Sequence, residues 1–355
     1  MGLLALGLAC LVAWGCGKSE SDQGSPASGG GSGSTGGSVG GAGAGPDSGS
    51  GGVAAAEPTL LYSSWASLRL YAVHVDGDYV YWTEPETSIM RGLKDGSGEP
   101  EFVGPRGGSV VPTLFVSDDE YVYWLLWLTG IRRYSKSDGS LTDFELDPTP
   151  NWSAIDGDGE YLYAARDGCT SIARVRGDGS ELVITDLPEG GWFGGGTYLT
   201  LDDQNVYCGS GPRVYRMPKS GGAAQVVVTG QETIGGMATD RTALYWLNCA
   251  AVLSNPKSLH AMELSTGEVT DYGEMLRGGS GPLCRDEARN ALYWVSGNCL
   301  RCHVMMFDVE SRELRYMARD RNVYGAIATD EDFVYWTEEY AVMRMHKDGL
   351  TTPAP

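Results

Sequence analysis

The chain has 355 residues, 46 acidic against 26 basic, and a formal net charge of −20; 42% of its residues are hydrophobic and 52 are glycine. A surface of that sign lacks the basic stripe that phosphate recognition needs, so nucleic acid is excluded as a partner. It also repels anionic lipid, and its plain service is solubility.

Residues 1–15 are almost wholly apolar and run into Cys16. The run is too short to span a bilayer as a helix and has the form of an export signal. Gly15 directly before the cysteine, within Leu11-Val12-Ala13-Trp14-Gly15-Cys16, resembles the lipobox of bacterial lipoproteins. The resemblance implies that Cys16 is lipidated and becomes the mature N-terminus. The protein would then sit in the cell envelope, extracytoplasmic and membrane-bound by its lipid alone, at the outer membrane and facing the periplasm or the surface. Trp14 is bulky for that pattern and no Lys or Arg precedes the apolar run. An ordinary cleaved secretory signal is therefore the alternative. Cys10 would leave a shorter apolar stretch, and Leu6 stands where N-myristoylation requires Ser or Thr.

Residues 17–56 are Gly and Ser with scattered Ala and Pro. Such a segment cannot bury enough surface to offset its ordering entropy. It reads as a disordered linker reaching about 35 Å on average. The folded head spans 57–355.

Through the head one phrase returns seven times: Val80-Tyr81-Trp82, Val122-Tyr123-Trp124, Leu162-Tyr163-Ala164, Val206-Tyr207-Cys208, Leu244-Tyr245-Trp246, Leu292-Tyr293-Trp294 and Val334-Tyr335-Trp336. The tyrosines are 42, 40, 44, 38, 48 and 42 residues apart. A period near 42 with strand-like residues marks β-propeller blades, so the fold class is all-β, a seven-bladed β-propeller. In the last copy Gly325–Asp330 reads as an innermost strand, Phe333–Thr337 as the second and Ala341–Met345 as the third. Turns follow the third strands at Lys94-Asp95-Gly96, Ser137-Asp138-Gly139, Gly177-Asp178-Gly179, Lys219-Ser220-Gly221 and Lys347-Asp348-Gly349. No fourth strand follows the last of these, whereas Pro58-Thr59-Leu60-Leu61-Tyr62 is an orphan at the other end. We expect it to complete the seventh blade, which removes a free sheet edge and makes Glu57–Ser63 essential to the head.

Apolar residues on both sides of the second strand suit a blade sandwiched between two others. The aromatic repeat is therefore core and not a carbohydrate platform, and its tyrosine hydroxyls require acceptors. An Asp lies five residues before the tyrosine at Asp76, Asp118, Asp158, Asp202, Asp240 and Asp330; in the sixth copy Asp286 is displaced by two. Its expected work is to accept backbone N–H groups at the first hairpin turn. Asp156-Gly157-Asp158-Gly159-Glu160 has the oxygens for calcium but not the twelve-residue loop, and turn chemistry accounts for it better.

Tyr81-Trp82-Thr83-Glu84 and Tyr335-Trp336-Thr337-Glu338 resemble the YWTD repeat of low-density-lipoprotein-receptor propellers, and the repeat is similar to that of Gly-tethered bacterial lipoproteins. Glu replaces the Asp, Thr survives in two copies, and the receptor family has six repeats rather than seven. What the resemblance implies is the fold, and more distantly a protein-binding role.

Six cysteines fall in the head, and 15 connectivities are open to them. Placed on the repeat they gather at one rim, which favours Cys169–Cys208 and Cys249–Cys284 between blades and Cys299–Cys302 within one hairpin. Cys299-Leu300-Arg301-Cys302-His303 is also the attachment motif of c-type haem, with His303 as axial ligand. The hairpin leaves little room for a macrocycle, so haem c stays an alternative, and no cofactor or metal is expected. The same rim receives the chain into the inner strands, where aromatics outside the repeat cluster: Trp65, Trp152, Trp192, Phe193 and Tyr324, with Trp127 in a hairpin beside them. Arg106, Arg277 and Arg321 occupy neighbouring positions. These residues form a candidate recognition surface, or else plug the central channel. No Gly-x-Ser-x-Gly elbow or paired-histidine metal motif is present. The expected function is a tethered, monomeric binding or scaffold module for a protein, glycan or small ligand; a periplasmic hydrolase or lyase is the alternative.

Overall fold

The computed structural model describes residues 57–64, 70, 72–84, 88–105, 115–126, 130–149, 151–188, 190–191, 196–249, 256–277, 281–298, 301–349 and 352–353. For 256, 257, 276, 277, 297, 298, 301, 324, 325, 352 and 353 it describes the backbone. The expected lipidation site Cys16 and linker 17–56 lie outside these residues. Apart from one short 3-10 turn at Asp167–Cys169, every regular element among the described residues is a strand, and the strands form seven sheets. Ala56–Pro355 is one compact unit.

From the inside out, blade 1 is Val73–Asp76, Tyr79–Thr83, Ser88–Leu93 and Glu101–Pro105; blade 2 is Phe115–Ser117, Tyr121–Leu126, Gly130–Ser135 and Leu141–Glu145. Blade 3 is Trp152–Gly157, Tyr161–Arg166, Ser171–Arg176 and Val183–Asp186; blade 4 is Thr197–Leu201, Asn205–Ser210, Arg213–Pro218 and Gln225–Val228. Blade 5 is Ile234–Thr239, Ala243–Asn248, Pro256–Glu263 and Val269–Arg277; blade 6 is Cys284–Asp286, Ala291–Asn298, Arg301–Asp308 and Leu314–Arg321. Blade 7 is Val323–Thr329, Phe333–Glu338 and Ala341–His346, with Thr59–Ser63 as its outer strand. Each inner strand packs on those of the two flanking blades, and the first packs on the last, so the ring is closed.

The N-terminal strand closes it as expected, pairing Thr59 with Arg344 and Ser63 with Ala341. Tyr62 reaches from this strand into blade 1. Its ring stacks on Trp82 at 5.1 Å and its hydroxyl donates to the carbonyls of Leu93 and Ser97. The tail does something the sequence did not suggest. With the outer place of blade 7 already filled, Thr352–Pro353 pairs with Tyr316 and Arg315 and adds a fifth strand to blade 6. It thereby satisfies part of an otherwise open edge.

The second strands behave as their alternation requires. Val334 and Trp336 pack toward blade 6, whereas Tyr335 packs toward blade 1. Leu292 and Trp294 likewise face blade 5 while Tyr293 faces blade 7. The five repeat tryptophans account, with Trp152 and the tyrosines, for the largest fully buried side chains; Trp82, Trp124, Trp246, Trp294 and Trp336 are all 2% exposed or less.

The recurring Asp caps the first turn and also holds the tyrosine. Asp118 Oδ1 accepts the N–H groups of Glu120 and Tyr121, and its Oδ2 accepts the Tyr123 hydroxyl at 2.6 Å. Asp158, Asp202 and Asp330 repeat this with Tyr163, Tyr207 and Tyr335. In five seams the carboxylate also meets a cation from the next blade: Asp330–Lys94, Asp76–Lys136, Asp158–Lys219, Asp240–Arg285 and Asp286–Lys347. Displaced Asp286 therefore keeps its role. Burial would raise the carboxyls of Asp158, Asp202, Asp240 and Asp330, but the hydrogen bonds they accept outweigh it and hold them below the ordinary range. The same partners, with burial first, push the tyrosine hydroxyls up.

Candidate functional site

Strand direction gives each blade two unlike ends. First-to-second turns and third-to-fourth turns crowd one face, where the Asp–Tyr–cation ring holds them. Five of the first turns are three residues long: 118–120, 158–160, 202–204, 240–242 and 330–332. Second-to-third hairpins and blade-to-blade connections emerge on the opposite rim. There the connections range from a single residue, 322, to ten, 187–196.

The rim is where the candidate residues belong, and the structure places only some of them. Trp65, Trp127, Trp192, Phe193, Arg106 and Cys299 lie outside the described residues. Tyr324 and Arg277 are placed by backbone alone, at the start of the inner strand of blade 7 and the end of the outer strand of blade 5. Trp152 does not present a face to solvent. It begins the inner strand of blade 3, is 1% exposed among Val116, Tyr123 and Leu146, and lies beneath the Arg166 guanidinium at 4.5 Å. It belongs to the core. Arg321 is half-buried and committed to Glu338, with contacts of 2.7 and 3.1 Å.

Glu338 also accepts the Trp336 indole N–H at 3.0 Å. In blade 1, Glu84 accepts from Trp82 at 3.2 Å and from the Ser64 hydroxyl, and Thr83 Oγ1 accepts the Ala72 N–H. The Tyr-Trp-Thr-Glu motif is thus accounted for by packing: its Glu satisfies the buried indole in both copies, and in blade 1 its Thr holds the incoming chain, whereas Thr337 Oγ1 in blade 7 is buried without a hydrogen-bond partner among the described residues.

The cysteines divide. Cys169 and Cys208 are joined, linking the second-to-third connection of blade 3 to blade 4 with a sequence separation of 39. The expected Cys249–Cys284 bridge is not formed. Cys249 follows the end of its second strand, at the rim. Cys284 pairs with Tyr293, two residues from the turn face, and donates its thiol to the Ile327 carbonyl at 3.1 Å. The inner strand of blade 6 has only three residues, so its first residue is already deep in the blade. Burial pushes that thiol up to about 12. Cys302 is buried against Val304, Met317 and Val323, whereas His303, on the other side of the strand, meets the Tyr316 ring and accepts the Asp320 N–H. The Cys302 thiol and the imidazole therefore point to opposite faces of one sheet.

Near the axis three ionisable groups share one level, each two residues before a turn carboxylate: His74, Asp156 and Cys284. His74 Nε2 meets Ser117 Oγ at 2.8 Å across the seam with blade 2, and burial lowers its pKa to about 4. Burial raises the Asp156 carboxyl to about 7, only partly offset by the Gly157 N–H. Between blades 1 and 2 on the turn face is a cavity of about 380 Å³, lined by Asp76, Tyr79, Tyr81, Arg91, Asp119 and Lys136. In the seams from blades 2, 3 and 7, a third-strand arginine (Arg133, Arg174, Arg344) donates to a turn carbonyl of the next blade. Arg91 instead bonds Glu101 and lies over the Tyr79 ring at 4.5 Å, which leaves the seam open. Among the described residues no group of three or more His, Cys, Asp or Glu is arranged to hold a metal ion, and no helix is long and apolar enough to cross a membrane.

At the rim end of blade 5 lies a polar network that the sequence did not flag. Asn248 and Trp246 both donate to Gln231 Oε1, at 2.8 and 3.1 Å. His260 stacks on Trp246 at 5.5 Å, and its Nε2 lies 2.8 Å from Ser258 Oγ and 2.9 Å from Asn248 Nδ2. The only sequence signal was Ser258-Leu259-His260, whose alternation on a strand puts both polar groups on one face.

No protein-family model and no curated protein matches the chain. Solved structures do match its fold. A virginiamycin B lyase from Staphylococcus aureus superposes with a TM-score of 0.63 at 15% identity, covering 82% of this chain and 99% of that one. The extracellular domain assigned to a hybrid two-component system of B. thetaiotaomicron gives 0.62 at 14% identity, over 81% of this chain and 39% of that one. The computationally designed Ika8 protein gives 0.58 at 12% identity, over 81% and 99%. At such identities the likeness is one of fold alone, and it agrees with the β-propeller seen in this chain.

Proposed function

We propose that the protein is a recognition module of the cell envelope, held by a lipid on Cys16 and the Gly-rich linker 17–56, which binds a protein or glycan through the rim of its propeller. The observation that carries this reading is the contrast between the two faces. The turn face is spent on structure, its carboxylates, tyrosine hydroxyls and lysines engaged with one another. The rim bears the connections of unequal length, and binding sites sit on such loops when a rigid scaffold positions them. An extracellular domain among proteins of similar fold agrees with a binding role. Lipidation is tested by metabolic labelling with a radioactive fatty acid: label should be present in the parent and absent in Cys16→Ser. For binding, the purified protein is screened on a glycan array and crosslinked in envelope extract. Capture should be lost in a variant carrying Arg321→Ala with Trp127→Ala and Trp192→Ala, and kept in a variant carrying Asp119→Ala with Asp178→Ala on the turn face. The opposite pattern refutes the assignment of the rim.

A further inference from the structure

In blade 5 the second strand puts Trp246 opposite His260 and Asn248 opposite Ser258, and the fourth strand puts Asp271 opposite His260. Aligned on the residue it faces, the place of His260 is held in the other blades by Met90, Arg132, Ala173, Tyr215, Met305 and Met343. Packing at this position therefore does not ask for an imidazole. The histidine is held by the Trp246 ring, nearly parallel at 13°, and each of its nitrogens has a different partner. Nε2 lies 2.8 Å from Ser258 Oγ, and Nδ1 lies 3.7 Å from Asp271 Oδ1. That is the order a hydroxyl nucleophile, its base and an orienting carboxylate require. Burial depresses the imidazole, with Asp271 opposing, so it is neutral and able to accept a proton. Asn248 Oδ1 is buried with no hydrogen-bond partner among the described residues, so the network has an acceptor that its own members do not satisfy. Ser258 is half-buried and lies three residues into its strand, at the rim end.

We propose that Ser258, His260 and Asp271 form a nucleophilic site that cleaves carboxylic esters at the rim of blade 5. This goes beyond recognition and does not depend on it. Ser258 Oγ attacks the ester carbonyl while His260 Nε2 takes its proton. The carbon–oxygen bond to the leaving alcohol then breaks, and the alcohol departs with that proton. Water, deprotonated by the same nitrogen, attacks the acyl-serine and releases the acid. Asn248, directly across from Ser258, serves the oxyanion by turning to it one of the Nδ2 hydrogens now directed at Gln231 and His260. Asp271 is a positioning residue. With Glu274 it makes the surroundings acidic and exposed, so neutral or cationic esters are favoured over anionic ones.

The test treats the full chain with diisopropyl fluorophosphate. Ser258 Oγ forms a bond to phosphorus, the phosphorus–fluorine bond breaks, fluoride leaves and His260 takes the proton. Intact mass and peptide mapping should show one adduct, on Ser258. His260→Gln, which keeps a hydrogen-bonding side chain, should slow its formation ~100-fold or more. Asn248→Ala should slow hydrolysis of p-nitrophenyl acetate ~100-fold, and Ser258→Ala or Ser258→Thr should abolish it. Asp271→Asn should slow adduct formation and Asp271→Glu restore it, with the melting midpoint unmoved in both. No adduct on Ser258, an undiminished rate in His260→Gln, or hydrolysis surviving in a folded Ser258 variant overturns the proposal, and all three readings are independent of any binding result.

Discussion

Tyr62 is the side chain by which the first strand of the head grips a second blade, and its removal reports how much the ring depends on that grip. The residue is 5% exposed. Its ring buries roughly 150–200 Å², worth about 4–5 kcal/mol at ~25 cal/mol per Å². Stacking on Trp82 adds ~1 kcal/mol, while the alanine left behind retains part of the burial. A net loss of about 4 kcal/mol for Tyr62→Ala agrees with the usual range for aromatic truncation. At ~2–4 °C per kcal/mol the melting midpoint should fall by about 10 °C. Tyr62→Phe keeps the ring and gives up only the hydroxyl bonds to Leu93 and Ser97, so it should cost ~1 kcal/mol and about 3 °C. Gly92 offers a second approach to the same contact, because a Cβ there would stand 2.4 Å from the Tyr62 ring. Gly92→Ala should therefore destabilise strongly alone and by less when Tyr62 is already alanine. Differential scanning calorimetry of the four variants decides the matter. A fall under ~3 °C for Tyr62→Ala, or strict additivity of the pair, would mean that the N-terminal strand is dispensable trim.

Lys347 and Asp286 are 1% and 8% exposed, so Lys347→Met should cost ~3–5 kcal/mol by stranding the carboxylate, while the double change Lys347→Met with Asp286→Leu should recover most of it in urea unfolding. Reducing Cys169–Cys208 releases a separation of 39 residues and should cost ~2–4 kcal/mol in the same assay, a loss that Cys169→Ala with Cys208→Ala reproduces. The axial groups give opposite pH slopes. His74, depressed to about 4, makes the unfolded chain bind more protons below its ordinary pKa near 6.5, so its contribution falls as pH drops from ~6.5 to ~4. Asp156, raised to about 7, makes the folded chain bind more protons above ~4, so its contribution falls as pH rises from ~4 to ~7. Stability from pH 4 to 6.5 should climb with pH in Asp156→Asn and decline in His74→Gln relative to the parent; equal profiles in both variants would disprove the opposition.

The fold was legible because its signal is repeated: one Val-Tyr-Trp phrase could be a stray strand, but seven copies at spacings near 42 fix blade number, the second strand and the core face together. The N-terminal closure was legible by subtraction, since one strand was missing at one end and one was spare at the other. The lysine ring was not. Lys94, Lys219 and Lys347 each read as the first residue of a turn, and their partners are remote in sequence, 236 residues away for Lys94 and Asp330. A turn residue announces the turn, not what its long side chain reaches. Trp152 was misplaced for a related reason: its sequence neighbours are polar, Asn151 and Ser153, while the apolar wall it meets comes from blade 2. Cys284 was assigned to the rim by counting strands as equal, and the inner strand of blade 6 is not equal to the others. Ser258 and His260 went unread because a two-residue spacing is ordinary on any strand, and only the cross-strand register brings Asn248 and Asp271 to them.

The seams also show how far the repeat can vary before a different device takes over. Where blade 3 should offer a turn lysine to Asp118 it has Gly177. A Cβ at that position would stand 2.8 Å from the Tyr123 hydroxyl, which Asp118 already holds, so no side chain is admitted there. The seam is closed instead by Arg133 donating to the Gly177 carbonyl at 3.0 Å while lying 4.4 Å over the Tyr121 ring. The cation has moved from one blade to the other, and a backbone oxygen has replaced a carboxylate as its partner. In six of the seven seams a buried or half-buried cation thus bridges to the neighbouring turn, with no particular residue required to supply it; between blades 4 and 5 the corresponding ion pair, Arg241–Asp203, is exposed and spans 3.9 Å. The turn face meets that demand around most of the ring, and the cavity between blades 1 and 2 lies where Arg91 is turned away to Glu101. The rim carries no such obligation, so connections of any length can be inserted there at small cost to the ring. A blade that departs from the repeat at the rim, as blade 5 does with Ser258 and His260, departs where the fold itself makes no demand.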